Sequence, residues 1–147
     1  MHKGSMAKQF TYHKKILEHH LDTFGHVNNA VYLELYEEAR WDIIHNNGFG
    51  IERIQKEKKG PVILNAHITF KRELENREEI VIKSQIMDLK KGRIMIMHQE
   101  IFKVNGELAS TLDIEFGLMD LKERKLIHPE ADWLHAVGIE PDEFPAK

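Results

Sequence analysis

The chain has 147 residues with 41% hydrophobic and 31% charged side chains, proportions typical of one folded domain rather than a disordered chain. Its 21 basic and 24 acidic residues give a net charge of −3, which is unsuited to neutralising phosphates, so we expect no nucleic-acid partner. The longest apolar runs, Ala30–Leu33 and Ile94–Met97, are far below the ~20 residues of a membrane span, so none is expected. Cysteine is absent, which excludes disulfides and thiol nucleophiles. These features favour a cytoplasmic enzyme or binding domain.

The two ends of the chain carry the least information. Residues Met1–Met6 read as a cloning-derived or disordered N-terminus, and residues 7–147 are interpreted as a single domain. Alternation of apolar and polar side chains from Phe10 to Ile16 predicts a first strand. The charged segment Glu52–Lys59 indicates a solvated loop or helix end. The stretch Ala131–Lys147 has no pattern that assigns it to an element.

One long helix is predicted from about Ala30 to Asn46. Asn28 and Asn29 provide an N-cap, because a short side-chain oxygen can accept from the free N–H groups of the first turn. Apolar side chains then recur at helical spacing, at Tyr32, Tyr36, Ala39 and Ile43. The Asn-Asn-Gly sequence that follows supplies the left-handed residue that commonly ends a helix.

The remainder alternates with period two, which predicts four further strands. The side chains expected to share the buried face of the first of these are Val62, Leu64, Ala66, Ile68 and Phe70. Lys90-Lys91-Gly92 and Asn105-Gly106 are turn sequences, the second a two-residue hairpin signal. A meander of antiparallel strands with one apolar face needs a cover, and the single amphipathic helix provides it. The expected fold is α+β, a curved antiparallel sheet wrapped around one helix, with dimerisation through its open edge.

The segment between the first strand and the helix carries the candidate chemistry. Asp22 precedes the helix N-terminus, where free backbone N–H groups and the helix dipole stabilise an oxyanion or a polarised carbonyl oxygen. A carboxylate there can act as a base or a nucleophile, so the spacing suggests acyl transfer or hydrolysis. In the alternative interpretation Asp22 only caps a turn, while His26, Asn28 and Asn29 close the loop.

The run from Asp22 to Tyr32, Asp-Thr-Phe-Gly-His-Val-Asn-Asn-Ala-Val-Tyr, is followed by Glu37-Glu38-Ala39-Arg40. It resembles the 4-hydroxybenzoyl-CoA thioesterase branch of the hotdog-fold thioesterases, whose pattern is D-x-x-G-H-V-N-N-x-x-Y followed by E-x-A-R. The resemblance extends from Phe10 to Met119. It implies a hotdog fold, a homodimer or homotetramer with sites at subunit interfaces, and hydrolysis of an acyl-CoA to a carboxylic acid and free coenzyme A.

The resemblance also implies roles for individual residues. Asp22 matches the catalytic aspartate, acting as general base or nucleophile, and the backbone N–H near Asn29 matches the group that polarises the carbonyl. His26 and Asn28 are expected to position water or to hold the loop, and Tyr32 and Arg40 to be structural. No cofactor is implied, since coenzyme A is part of the substrate. Five basic side chains lie at strand ends, where they either bind the phosphates of coenzyme A or belong to solvated turns. They are Lys71, Arg72, Lys90, Lys91 and Arg93.

The loop departs from the family pattern at His20, where many members carry a second acid. A protonated His20 is a hypothesis for lowering the pKa of Asp22. The histidines near Asp22 match no metal signature, so no metal is expected. Two alternatives to acyl-CoA hydrolysis stay open, namely a thioesterase acting on acyl groups carried by acyl carrier protein and a non-catalytic acyl-CoA-binding hotdog domain.

Overall fold

Six antiparallel strands form one sheet that packs against a long helix. The computed structural model describes residues 7–140, so the segment 1–6, expected to be a cloning-derived or disordered end, lies outside the described residues. Within that part the helices are α1 (Asn29–Asn46), α2 (Ile51–Glu57) and α3 (Ala131–Ala136). The strands are β1 (Gln9–Lys15), β2 (Lys59–Phe70), β3 (Glu79–Lys90), β4 (Ile94–Lys103), β5 (Leu108–Asp120) and β6 (Lys125–Ile127).

The strand order is β1-β3-β4-β5-β2, and the short β6 pairs with the end of β5. Because β4 lies between two partners, it is a central strand, as its apolar first half predicted. The face of the sheet toward α1 carries the core, whose fully buried members include Ile82, Ile86, Met95, Met97 and Ile101. The expected α+β sheet around one helix is therefore confirmed.

Helix α1 begins at Asn29, one residue before the predicted start, and ends at Asn46 as predicted. Asn28 is the N-cap, and its Oδ1 accepts from the Ala30 N–H at 2.8 Å. The apolar stripe of α1, which includes Tyr36 and Ala39, is buried against the sheet. The cap and the stripe together fix which end of the helix meets the preceding loop.

The predicted buried face of β2 is wrong at the start of the strand. Ala66 pairs with Ile114 and lies on the inner side as expected, but Leu64, Ala66 and Phe70 are all exposed rather than buried. A bulge at Leu64 also reverses the alternation before it. Ile63 therefore shares the inner face with its partner Phe116, and Val62 lies on the outer face. A bulge adds one residue to one strand, and the period-two pattern contains no sign of it.

Both predicted turn sequences form hairpins, but the two-residue turn predicted at Asn105-Gly106 is wrong. Lys91 and Gly92 both have positive φ, 53° and 71°, and form the two-residue turn between β3 and β4. At the second hairpin only Gly106 has positive φ, and the Lys103 N–H donates to the Glu107 carbonyl across a three-residue loop. A two-residue type I′ turn needs positive φ at both central positions, which explains the difference.

The C-terminal stretch that had no assignable pattern contains α3, and its residues 141–147 lie outside the described part. Trp133 on α3 is fully buried, packs edge-on against Phe49 at 4.9 Å between ring centroids, and donates its Nε1–H to Met95 Sδ. The charged segment near residue 55 forms α2, whose Ile54 alone is buried. Both helices are too short for a periodic pattern to identify.

Candidate active site

The loop before α1 is closed by its own backbone. Leu21 and Val27 form an antiparallel bridge, and the Asp22 N–H donates to the His26 carbonyl at 2.9 Å. Between them Gly25 has φ of +84°, a conformation that costs little only for glycine, and its N–H donates to the Asp22 carbonyl at 3.1 Å. The loop is therefore a tight turn that presents Asp22 at a defined place.

The carboxylate of Asp22 is held by one of its two oxygens. Oδ1 accepts from the Phe24 N–H at 2.8 Å and from the His26 N–H at 3.3 Å. Among residues 7–140, Oδ2 has no hydrogen-bond donor. The turn-capping role and a chemical role are thus compatible, because they use different oxygen atoms.

Asp22 opens onto a cleft of about 370 Å³, here called the loop cleft. Asn29, the first residue of α1, lies in the same cleft, so the positive end of the helix dipole faces it. The Asn28 cap engages the N–H of Ala30 and not that of Asn29. The remaining lining residues are His26, Val27, Tyr32, Phe70, Lys71, Arg72 and Glu73.

Three neighbours of Asp22 support the loop. The Nε2 of His26 lies 2.9 Å from an oxygen of Glu73, which the sequence analysis did not single out. Glu73 follows β2, about 50 residues from the loop in sequence, so only the folded sheet brings the two together. Asn28 caps the helix, and Tyr32 donates its hydroxyl to the Arg72 carbonyl at 3.3 Å.

The hypothesis of a protonated His20 is wrong in this structure. His20 is buried, and its Nδ1 accepts from the Leu17 N–H at 2.9 Å. Burial is the main cause that lowers the pKa of its imidazole, with the positive charge of Lys14 acting in the same direction. A neutral imidazole at this position supplies no positive charge to Asp22.

The predicted basic residues separate into two groups at opposite ends of the sheet. Lys71 and Arg72 line the loop cleft and a neighbouring opening of about 470 Å³, in which Arg72 pairs with Glu107 at 3.3 Å. The other three, Lys90, Lys91 and Arg93, surround the β3–β4 turn, and Lys90 pairs with Glu115. That turn aligns with Val62 of β2, eight residues before Phe70 or roughly 26 Å away at 3.3 Å per residue.

The part of the chain that the structure describes has neither a metal-binding cluster nor a membrane-spanning helix. Within residues 7–140, no group of three or more His, Asp or Glu side chains is arranged to hold a metal ion. None of the helices in that part is long and apolar enough to cross a membrane.

A curved antiparallel sheet on one helix, with an aspartate loop at the helix N-terminus, defines the hotdog class that the sequence resembles. Residues 17–146 match the model of the thioesterase-like superfamily, and the chain belongs to that family. Two curated relatives carry thioesterase names. The long-chain acyl-CoA thioesterase FadM of Escherichia coli is 33% identical over 119 residues, which cover 80% of this chain and 89% of FadM. The chloroplastic acyl-acyl carrier protein thioesterase ATL3 of Arabidopsis thaliana is 28% identical over 93 residues, or 63% of this chain and 48% of that protein.

Solved structures agree with the fold. YbaW, a probable thioesterase from Escherichia coli, is 31% identical with a TM-score of 0.73, covering 86% of this chain and 94% of YbaW. The protein SAV2348 from Staphylococcus aureus, solved in complex with CoA, has a TM-score of 0.83 at 15% identity, covering 97% of this chain and 89% of that one. These comparisons confirm the hotdog fold and the expected class of enzyme, a thioester hydrolase.

Proposed function

We propose that this chain hydrolyses acyl-CoA thioesters, with Asp22 as the acid–base or nucleophilic group and the Asn29 N–H polarising the carbonyl. The observation that carries the proposal is that the loop cleft is lined both by Asp22, whose Oδ2 has no hydrogen-bond donor within residues 7–140, and by Asn29, the first residue of α1. A thioester carbonyl bound between them would meet a donor on its oxygen and a carboxylate near its carbon.

Both routes open to Asp22 use the same geometry. As a general base, Asp22 takes a proton from water, the oxygen attacks the carbonyl carbon, and the C–S bond breaks to release coenzyme A as a thiolate that is then protonated. As a nucleophile, Asp22 attacks the carbonyl carbon, and the C–S bond breaks to release coenzyme A as a thiolate that is then protonated. Water then hydrolyses the resulting anhydride to the carboxylic acid and the free Asp22 carboxylate. In both routes negative charge develops on the carbonyl oxygen, where the helix N-terminus stabilises it.

The other two loop residues have positioning roles in this proposal. The Oδ1 of Asn28 is occupied by the Ala30 N–H, so Asn28 holds the start of α1 in place. His26 contributes its backbone N–H to Asp22 and its ring to Glu73. We therefore expect substitution of either residue to lower activity by displacing Asp22 or Asn29.

For coenzyme A we assign Lys71 and Arg72 to the phosphate groups. Both line the loop cleft, and Lys71 is exposed beside it. The three basic residues at the β3–β4 turn lie about 26 Å from this end of β2, too far to share those phosphates within one chain. The substrate class rests on the similarity to a relative named long-chain acyl-CoA thioesterase.

The ATL3 name supports one alternative, in which the acyl group is carried by acyl carrier protein. The surface of such a partner would have to meet the Lys71 and Arg72 end of the cleft. Faster hydrolysis of acyl carrier protein thioesters than of acyl-CoA with the same acyl group would favour the alternative. Tight acyl-CoA binding without hydrolysis would favour the non-catalytic domain.

We also propose that the chain forms a homodimer or homotetramer through the edge strand β2. That edge has no strand partner within residues 7–140, and it exposes Ile63, Leu64 and Phe70 at 44%, 43% and 45%. Sedimentation of a Leu64→Lys variant should show a smaller species than the wild type. Val104→Lys is the control, because Val104 is also apolar and exposed but lies in a hairpin turn. The cytoplasmic location remains part of the proposal, to be tested by fractionation.

The decisive experiment compares wild type and Asp22→Asn on short, long and aromatic acyl-CoAs. Released coenzyme A is read with a thiol reagent, and the absence of cysteine from the chain removes the background. Asparagine keeps the Oδ1 acceptor, so a loss of about 10²–10⁴-fold in kcat at unchanged stability would support the proposed role. Asp113→Asn is the matched control, since Asp113 lies on the outer face and pairs with His98. Equal rates in wild type and Asp22→Asn would refute the proposed role of Asp22.

A further inference from the structure

A second cleft lies beside the C-terminal half of α1, separate from the loop cleft. It has a volume of about 90 Å³ and is here called the helix cleft. Its walls are almost entirely apolar or aromatic: Trp41, Ile43, Ile44, Pro61, Ile63, Met97, Phe116, Trp133 and Val137. Of the described residues, only Glu37 and Arg40, both on α1, bring charge into it.

Arg40 is fixed in this cleft by a buried partner. Its Nη1 donates to the Oε1 of Gln99 at 2.8 Å, and Gln99 is fully buried in the sheet. The Nε2 of Gln99 donates in turn to the Ser84 hydroxyl and the Tyr36 carbonyl, which sets the direction of its amide. The guanidinium is therefore oriented by the core rather than by a surface ion pair.

The remaining donors of Arg40 have no acceptor among the described residues. Burial lowers the pKa of this guanidinium, which reflects the cost of holding the charge against apolar walls. An unsubstituted alkyl chain filling the cleft would take water away from these donors and leave them unpaired, which is costly.

Glu37 lies one turn earlier on the same helix face and acts electrostatically on Arg40. Together the two side chains offer donors and an acceptor within one apolar cleft. A hydroxyl group, which can both accept and donate, matches that pair. A carboxylate would meet Arg40 favourably but would be repelled by the negative charge of Glu37.

The edge strand β2 contributes a side chain to both the helix cleft and the loop cleft. Ile63 and Phe70 are on the inner face of that edge strand, one in each cleft, and both are nearly half exposed. Along α1, Arg40 follows Asn29 by about 16 Å at 1.5 Å per residue. Because its bonds zigzag, an extended alkyl chain advances only about 1.25 Å per bond, so twelve carbons with a terminal hydroxyl span about 15 Å, and a hydrogen bond of about 2.9 Å covers the rest.

We propose that the helix cleft receives the distal end of a long acyl chain and that Arg40 and Glu37 select a chain with a hydroxyl near that end. The inference rests on the proposed thioester hydrolysis and adds a substrate feature to it. The expected substrates are hydroxylated acyl-CoAs of about twelve carbons. Aromatic hydroxyacyl groups attached directly to the thioester are too short to reach Arg40 from Asn29.

The test compares 12-hydroxydodecanoyl-CoA with dodecanoyl-CoA by their kcat/KM ratio. In the wild type the hydroxylated substrate is expected to equal or exceed the plain one, although a purely apolar pocket would disfavour the hydroxyl. Arg40→Met keeps a similar length without donors and should lower the ratio about tenfold or more. Arg40→Met also removes a hydrogen-bond partner of the buried Gln99. Glu37→Leu, at an exposed position, is therefore a second variant, and it should also lower the ratio of the two kcat/KM values.

A binding measurement needs no turnover. The chain has two tryptophans, Trp41 and Trp133, and both line the helix cleft, so tryptophan emission reports its occupation. Titration with 12-hydroxydodecanoic acid should change the emission, and Arg40→Met should weaken its apparent affinity about tenfold or more. The affinity for dodecanoic acid, which carries the same carboxylate without the hydroxyl, should not fall by a similar factor, and an equal loss for both acids refutes hydroxyl selection.

The outcomes separate this inference from the proposed function. If Asp22-dependent hydrolysis of dodecanoyl-CoA occurs but the ratio is the same in wild type, Arg40→Met and Glu37→Leu, hydroxyl selection is refuted and the thioesterase proposal stands. A wild-type preference of tenfold or more for the plain chain also refutes it. If neither CoA ester is hydrolysed, the proposed function fails for these substrates, and the fluorescence titration decides the inference alone.

Discussion

Replacing Gly25 by alanine should separate the geometry of the Asp22 loop from the stability of the fold. Gly25 has φ of +84°, and a Cβ built on it would meet no atom within 4 Å. The cost is therefore backbone strain, about 1–2 kcal/mol for an L-residue in the left-handed region. Alanine also restricts the unfolded chain, which offsets about 0.4–1 kcal/mol. We expect a net loss of about 1 kcal/mol, or about 3–4 °C in Tm for a domain of this size.

Activity should fall by more than stability. If the strained residue relaxes toward negative φ, the N–H groups of Phe24 and His26 shift, and these two groups hold Asp22 Oδ1. A displacement of about 1 Å at a reacting group can cost about 10²-fold in rate. The measurement is kcat on the best acyl-CoA substrate, together with Tm at one protein concentration.

Gly48→Ala is the matched control for this substitution. Gly48 has φ of +91° and open space around its Cβ, but it follows the C-terminal end of α1, about 27 Å along the helix from Asn29. It should lose similar stability and keep its activity. Gly25→Asn should recover part of the rate, because asparagine adopts the left-handed region more readily. Activity within twofold of wild type in a destabilised Gly25→Ala protein would refute the reasoning.

Three further predictions concern stability and titration. Tyr36→Phe removes the donor that bonds the buried Ser110 hydroxyl at 2.9 Å, so urea unfolding should show a loss of about 1–3 kcal/mol, and no change would contradict that bond. Burial raises the pKa of all three tyrosines, and that of Tyr12 to about 12. Absorbance titration of the folded protein should therefore show no tyrosinate step near pH 10, whereas the protein unfolded in urea should show one. Arg77 lowers the pKa of Glu18 to about 2, so the stability this pair adds is present above pH ~4.5 and lost as the pH falls toward 2. Glu18→Gln should flatten Tm against pH in that window, and superimposable curves would count against the pair.

Elements that depend on contacts between near neighbours in sequence were predictable. Helix α1 has its cap at Asn28, a periodic stripe and a glycine after its end, and its bounds differ from the prediction by one residue. The sheet face of β3, with Ile80, Ile82 and Ile86 buried, follows from alternation alone. In both cases local preference and burial favour the same conformation.

What failed depends on partners distant in the chain. The bulge at Leu64 forms where β2 meets β5, and the hydrophobic pattern of β2 does not record it. The hypothesis of a protonated His20 rests on its nearness to Asp22 in sequence, but burial favours the neutral form of its imidazole. The distance between Lys71 and Lys90 follows from the strand order, which a list of strands in sequence does not determine.

In the candidate site, too, residues close in sequence were predictable and those brought together from distant elements were not. Asp22 and Asn29 are joined by one turn and a helix cap, so a short motif is sufficient to predict that they line the same cleft. The helix cleft collects Arg40, Ile63 and Trp133 from α1, β2 and α3, and no linear motif covers all three. Since the two clefts share no lining residue, substitutions in the helix cleft can change the preferred acyl group without moving Asp22. An Ile63→Phe protein should therefore hydrolyse long acyl chains less well than the wild type does. Its activity on short chains should still depend on Asp22. An equal loss of activity on all chain lengths would show that the two clefts are not independent.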